Sequence, residues 1–209
     1  MPLHKIIHIN ENTTAYFWHI TEDVTSLFRA VSLRDTSLFR LEGMKSEEHQ
    51  RGFLAVRMLL QHLGYTDYDL TYDEAGKPHL NDGKHISISH SHEFSCICIS
   101  NKLMGIDLEK LKEKTLKIAP RFMEVKHLEN LSTLEQIEKS TVIWGVKESI
   151  FKIKNEKGIS FPEHIFEAEF DLKEGKCEAE LHFNNQIENF QIQFYNVEAY
   201  IFVCAFPKK

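Results

Sequence analysis

Two long helical segments, each followed by short strand-like runs, constrain this chain more than any other feature. Residues 46–63 read as an amphipathic helix: Ser46 can cap it, Glu47 and Glu48 suit its first turn, and Gly64 can end it. Phe53, Leu54, Val56, Leu59, Leu60 and Leu63 give it a broad apolar face. Residues 86–91, 95–100 and 104–108 then read as three short strands, with Ser100-Asn101-Lys102 as a hairpin turn. Residues 116–127 and 133–153 are helical in pattern, and the last part reads as strands at 165–172, 177–183, 190–195 and 199–206. An early strand at 15–20 and a partly helical stretch at 21–40 precede them. Each half therefore sets a helix beside an antiparallel run of strands, which makes the fold class α+β with two subdomains. The charged run Lys110-Leu111-Lys112-Glu113-Lys114 is the expected linker, giving subdomains at 1–112 and 113–209.

At 209 residues the chain has ample length for a real core, and its fifteen Phe point to aromatic packing. No signal-peptide pattern opens it, and no apolar run approaches the roughly 20 residues of a membrane helix. A cytoplasmic location is the expectation. The formal net charge of −6 argues against broad nucleic-acid binding. Cys96 and Cys98 lie two apart in a strand-like run, while Cys177 and Cys204 stand alone. Buried thiols acting as small hydrophobes fit that pattern better than a disulfide framework or a zinc site.

The chemistry-bearing residues sit in a few short segments. Asp107 and Glu109 lie two apart in an apolar strand, so they face the same way. Two carboxylates on one strand face repel, and a cation relieves that repulsion. Trp144, Glu148 and Lys152 recur every four residues on a helix and share one face. Glu148 and Lys152 read either as an ordinary surface pair or as site residues set within an apolar helix. Three carboxylates and a lysine suit a hard divalent cation holding a phosphorylated substrate. Ser89 and His90 end an apolar run, where they serve either local backbone groups or a ligand. Lys77 lies in a Gly76-Lys77-Pro78 loop that can hold an ammonium toward an anion. Arg51 and Arg57, six apart on a helix, point in different directions. Trp144 reads as a core anchor of its helix.

Gly105-Ile106-Asp107-Leu108-Glu109 and Trp144-Gly145-Val146-Lys147-Glu148-Ser149-Ile150-Phe151-Lys152 resemble the two signature motifs of the 4′-phosphopantetheinyl transferase superfamily, of the surfactin-synthetase-activating type. The first, G-[IV]-D-x-E, is matched completely. The second, [WF]-[STC]-x-K-E-[AS]-x-x-K, is matched except at Gly145. Gly76-Lys77-Pro78 and Ile86-Ser87-Ile88-Ser89-His90-Ser91 resemble two further family segments, in the family's order and at similar spacings. The resemblance implies a pseudo-dimer of two α/β-type subdomains with the active site in the seam. It implies transfer of 4′-phosphopantetheine from coenzyme A to a serine of an apo acyl or peptidyl carrier protein, releasing adenosine 3′,5′-bisphosphate. Asp107, Glu109 and Glu148 are then ligands of Mg2+ or Mn2+. Glu148 is also the candidate base, and Lys152 contacts phosphate as a catalytic residue. Lys77, Ser89, His90 and Arg57 are the coenzyme A-binding candidates. The enzyme is expected as a cytoplasmic monomer that binds neither nucleic acid nor membrane, with a locally basic docking surface for its acidic carrier. The alternatives are another Mg2+-dependent phosphoryl-transfer enzyme, for which no P-loop is present, and a non-catalytic coenzyme A- or carrier-binding relative. The latter sits poorly with the retention of Asp107, Glu109, Glu148 and Lys152.

Overall fold

The computed structural model describes residues 3–208. The chain divides into two compact units between Lys102 and Leu103, ahead of the expected boundary at residue 112. The charged run is therefore not the linker. Residues 101–104 are not a hairpin turn either, because the strands on either side of them join different sheets.

The N-terminal unit contains β1 (Leu3–Asn10), β2 (Thr13–His19), α1 (Val24–Ala30), α2 (Asp35–Glu42), α3 (Glu47–His62), β3 (Leu70–Tyr72), β4 (Pro78–Leu80), β5 (His85–Ser91) and β6 (Phe94–Ser100). Its main sheet is antiparallel in the order β1-β2-β6-β5, and β3 pairs with β4. Ser46 caps α3, its side chain accepting from the His49 amide at 3.5 Å, and Gly64 leaves the helix at φ 81°. The expected apolar face of α3 packs as read: Phe53, Leu54, Val56, Leu59 and Leu60 join Trp18, Leu27, Leu70 and Ile97 in one core.

The C-terminal unit contains β7 (Gly105–Lys110), α4 (Glu113–Ile118), α5 (Thr133–Lys154), α6 (Phe161–His164), β8 (Ile165–Glu167), β9 (Lys176–Phe183), β10 (Gln186–Val197) and β11 (Tyr200–Pro207). Its sheet order is β7-β11-β10-β9-β8, antiparallel throughout. The helix expected over 116–127 is broken: α4 stops at Ile118 and single 3-10 turns follow at Ala119–Arg121 and Val125–Leu128. Pro120 lacks the amide hydrogen that an α-helix needs there. Ser132 opens α5 with a capping box, in which the Ser132 amide donates to Glu135 at 2.9 Å. Val142, Ile143, Val146, Ile150 and Ile153 then pack onto Ile192, Ile201 and Val203 of the sheet.

Among the described residues no helix is long and apolar enough to cross a membrane. The cysteines are free thiols, Cys96, Cys98 and Cys204 buried and Cys177 half-buried. Burial pushes the Cys177 thiol up to about 12, as befits a packing residue.

Candidate active site

Asp107 and Glu109 lie on β7 opposite Val203 and Ile201 of β11. Opposed residues of an antiparallel pair share a face. Val203 and Ile201 belong to the core that packs with α5, so both carboxylates lie on the helix side of the sheet. Asp107 is buried and Glu109 half-buried.

Two glycines bring α5 onto these strands. A Cβ on Gly105 would stand 2.1 Å from the Ser149 carbonyl oxygen, and a Cβ on Gly145 would stand 2.6 Å from Val203 Cγ2. No larger residue fits either place unless backbone or a packed valine shifts. The absence of a side chain at Gly145, where the motif usually has one, thus has a local cause: the helix runs too close to β11. The same imaginary Cβ would lie 3.7 Å from Asp107 Oδ2, so this turn of α5 faces the carboxylate directly.

Lys152 reaches back to β7. Its ammonium donates to Asp107 Oδ1 at 2.9 Å and to the Ile106 carbonyl at 3.0 Å, with the side chain 29% exposed. Glu148 is half-buried. Its carboxyl is pushed above the ordinary 4.5, first by burial and then by the charge of Asp107, with Lys152 pulling the other way. Asp107, Glu148 and Lys152 therefore form one electrostatic group. Among the described residues no three His, Cys, Asp or Glu side chains are gathered as a ready-made metal cage.

In the N-terminal unit, Asp73 organises the loop that carries Lys77. It accepts from the Lys77 amide at 2.9 Å and the Ala75 amide at 3.0 Å, and lies 3.0 Å from His79 Nε2. His79 and then the Lys77 amide hold its carboxyl below the usual range. Lys77 is half-buried beside Pro78, which begins β4. Ser89 is buried and His90 exposed, successive residues of β5. Gly52 makes room for His90 over α3, since a Cβ there would meet its ring at 3.1 Å. The His49 ring is 6.0 Å away.

Arg57 departs from expectation. It is 3% exposed, its Nε donates to Asp67 at 3.0 Å, and its guanidinium lies 3.5 Å from the centre of the Phe53 ring. Asp67 also accepts from the Arg34 amide. The arginine is turned into the core and held by a buried carboxylate as an ion pair, while its Nη2 is buried without a hydrogen-bond partner among the described residues. Trp144 behaves as read, packing edge-on to Phe122 and Phe161 at 5.1 and 5.5 Å.

Sequence reasoning passed over Lys147. It is 2% exposed and donates to the Ile165 carbonyl at 2.5 Å, Glu167 at 2.7 Å and the Phe161 carbonyl at 3.5 Å. A signal was present: Lys147 falls on the helix face of Ile143 and Ile150, at i+4 and i+7, where a lysine must find a buried partner.

An α+β chain with two antiparallel-sheet units thus carries, on one of them, a buried carboxylate, a lysine and a carboxyl of raised proton affinity against a long helix. Comparison with known proteins is more specific. The chain is similar to 4′-phosphopantetheinyl transferases: it is 33% identical over 121 residues to the gsp transferase of Aneurinibacillus migulanus, covering 55% of this chain and 51% of that protein. It is 32% identical over 105 residues to the Sfp transferase of Bacillus subtilis strain 168, covering 48% and 46%. With the Bacillus subtilis ffp transferase the identity is 30% over 124 residues, covering 57% and 54%. The chain thus spans about half the length of the curated relatives it matches. No family model matches it.

Proposed function

We propose that this protein transfers 4′-phosphopantetheine from coenzyme A to a serine hydroxyl of an apo acyl or peptidyl carrier protein, releasing adenosine 3′,5′-bisphosphate. The observation that carries this reading is the Lys152–Asp107 ion pair beside Glu148, on the two segments that match the family motifs. Glu148 takes the serine proton. It is half-buried beside Asp107 and one helical turn before Lys152, which places a carboxylate next to the reacting phosphate. Lys152, partly exposed, turns its ammonium to the phosphates and stabilises charge that develops on the leaving phosphate.

The residues fit a hard divalent cation. The donors are carboxylate oxygens only, and Asp107 and Glu148 are held near enough to raise the proton affinity of Glu148. Mg2+ is commonly held by one or two carboxylates together with substrate phosphates, so a three-ligand cage need not stand ready in the protein alone. Asp107, Glu109 and Glu148 are the proposed ligands of Mg2+ or Mn2+. Held by these carboxylates, the cation would supply positive charge against the substrate phosphates. In the N-terminal unit, Lys77, Ser89 and His90 are assigned to the phosphates of coenzyme A. Arg57 is not, because Asp67 holds it in the core.

The test is intact-mass spectrometry of apo carrier proteins from fatty-acid, polyketide and peptide synthesis, incubated with the protein, coenzyme A and Mg2+. One phosphopantetheine group should be gained on the carrier serine, and none with chelator present. No gain on any carrier, with coenzyme A hydrolysed instead, favours a Mg2+-dependent phosphoryl-transfer enzyme of another kind.

A further inference from the structure

We propose that Lys147 is a positioning residue for the carboxylate group of the site, an inference that rests on the reading above. It neighbours Glu148 in sequence but lies about 100° around the helix, so the two side chains leave α5 in different directions. Glu148 is coupled to Asp107 and β7. Lys147 instead sends its ammonium to α6 and β8, where all three of its N–H donors have acceptors: the carbonyls of Ile165 and Phe161, and the Glu167 carboxylate. Burial depresses the Lys147 ammonium pKa, and Glu167 opposes that effect. The side chain of Glu167 is itself 4% exposed and lies 3.9 Å from His127 on its other oxygen.

The turn at residues 145–149 is therefore gripped on two sides. On the sheet side, Gly145 meets Val203 and the Ser149 carbonyl meets Gly105, both at backbone-limited distances. These contacts fix how near α5 comes to β7 and β11, and on that side the Ser149 hydroxyl, donating to the Val203 carbonyl at 3.4 Å, and Lys152, bonded to Ile106 and Asp107, hold the helix against rotation about its axis. On the far side, Lys147 pins the helix to β8 by two directional bonds and to α6 by a third, all at one atom. Rotation would break all three and leave Glu167 buried without its cation, which is costly. Lys147 thus acts from the side away from the sheet, with Ser149 and Lys152 on the other, to set the angle at which Glu148 is presented to Asp107. A site of this kind needs its groups held to about 0.5 Å, and a misplacement of about 1 Å can cost about 100-fold in rate.

The experiment compares wild type with Lys147→Met/Glu167→Leu, which exchanges the buried ion pair for apolar side chains, and with Glu167→Gln, which keeps the hydrogen bond but removes the charge. Three quantities are read: the unfolding midpoint, Mn2+ affinity by electron paramagnetic resonance, and the kcat and KM for carrier loading. Replacing a buried ion pair by apolar groups is often neutral for stability. The double variant is expected to keep its midpoint, lose about 10-fold or more in Mn2+ affinity and about 100-fold in kcat, and keep its KM for coenzyme A. Glu167→Gln should shift Mn2+ affinity and kcat the same way by a smaller factor. If the folded double variant matches wild type in Mn2+ affinity and kcat, the pair only holds the fold and the proposal is overturned. Should the double variant not fold, unchanged Mn2+ affinity in Glu167→Gln overturns it equally. If wild type loads no carrier, the transferase reading fails, while the Mn2+ measurements still decide the role of Lys147.

Discussion

Lys152 Nζ lies 2.9 Å from Asp107 Oδ1, so the lysine one turn beyond Glu148 is ion-paired across to the neighbouring strand. An i, i+4 surface pair on α5 would leave no mark on β7. The bridge instead ties the two motif segments into one unit, and it changes what removal of either partner should do.

Lys152→Met should cost stability as well as rate. It leaves Asp107, 5% exposed in its side chain, beside Glu148 with no ammonium between them. A loss of about 1–2 kcal/mol at neutral pH is expected, shrinking as the pH falls and the carboxyls protonate. Carrier loading should fall by about 100-fold or more. Lys152→Arg should recover most of the stability and part of the rate, because the guanidinium is larger and planar. Thermal unfolding and loading rates on the three proteins check this. Full activity in Lys152→Met would remove Lys152 from the chemistry.

Asp107→Asn keeps the shape of the buried side chain and removes its charge. The loading rate should drop by about 100-fold or more while the fold persists, and wild-type activity lost to chelator should return with Mg2+. The unfolding midpoint of the variant separates lost chemistry from lost structure. Near-wild-type loading would sink the role of Asp107 as a ligand.

Glu148 links stability to pH. Its folded pKa lies above the ordinary 4.5, so its contribution to stability is fully present below that value and is lost as the pH rises through the folded pKa. With chelator present, Glu148→Gln should therefore gain on wild type in unfolding midpoint as pH rises from about 4 toward 8. The same variant should be inactive in loading. A midpoint difference that stays flat with pH would show that Glu148 is not strained by burial and by Asp107.

Gly145 should resist improvement. Glycine inside a helix costs about 1 kcal/mol against alanine, so Gly145→Ala would stabilise an isolated helix. Here the added Cβ would stand 2.6 Å from the Val203 methyl, and overpacking costs about 1–3 kcal/mol. A net loss in denaturant midpoint is expected, and pairing it with Val203→Ala should return part of it.

Elements whose pattern is local were legible in the sequence. The apolar period of α3 and its Ser46 cap lie within one segment, and the strands expected at 177–183, 190–195 and 199–206 overlap β9, β10 and β11, of which β10 runs longer at both ends. What was not legible depends on distant partners. The run at residues 110–114 is charged like a linker, but β7 enters it because Lys110 pairs with Tyr200, ninety residues on. Pro120, a local breaker, interrupts the helix expected over 116–127. In the site, the motif residues were legible as a set, and their pairing was not. Nothing around Lys152 names Asp107 as its partner, and nothing around Lys147 names Glu167. The reason for glycine at 145 lies in Val203, on a strand near the other end of the chain.

Arg57 and Lys77 looked alike as candidate anion-binding cations, and their surroundings separate them. Arg57→Met removes the partner of Asp67, whose side chain is 1% exposed, and strips a guanidinium from the Phe53 ring. Removing one member of a buried pair costs about 3–5 kcal/mol, because the remaining charge is left in the core. The KM for coenzyme A should stay near wild type in whatever fraction of Arg57→Met folds. Lys77→Met acts oppositely: its side chain is only half-buried, and the Asp73 contacts that shape its loop are made by backbone amides and by His79, all of which the substitution keeps. Stability should change by less than about 0.5 kcal/mol, and the KM for coenzyme A should rise with a smaller effect on kcat. Removing the 3′-phosphate from coenzyme A tells which phosphate Lys77 meets: if it is that one, dephospho-coenzyme A is poorer than coenzyme A for wild type and nearly equal to it for Lys77→Met. A raised KM in Arg57→Met at unchanged stability would reverse the assignment, returning Arg57 to the ligand and making the Asp67 pair incidental.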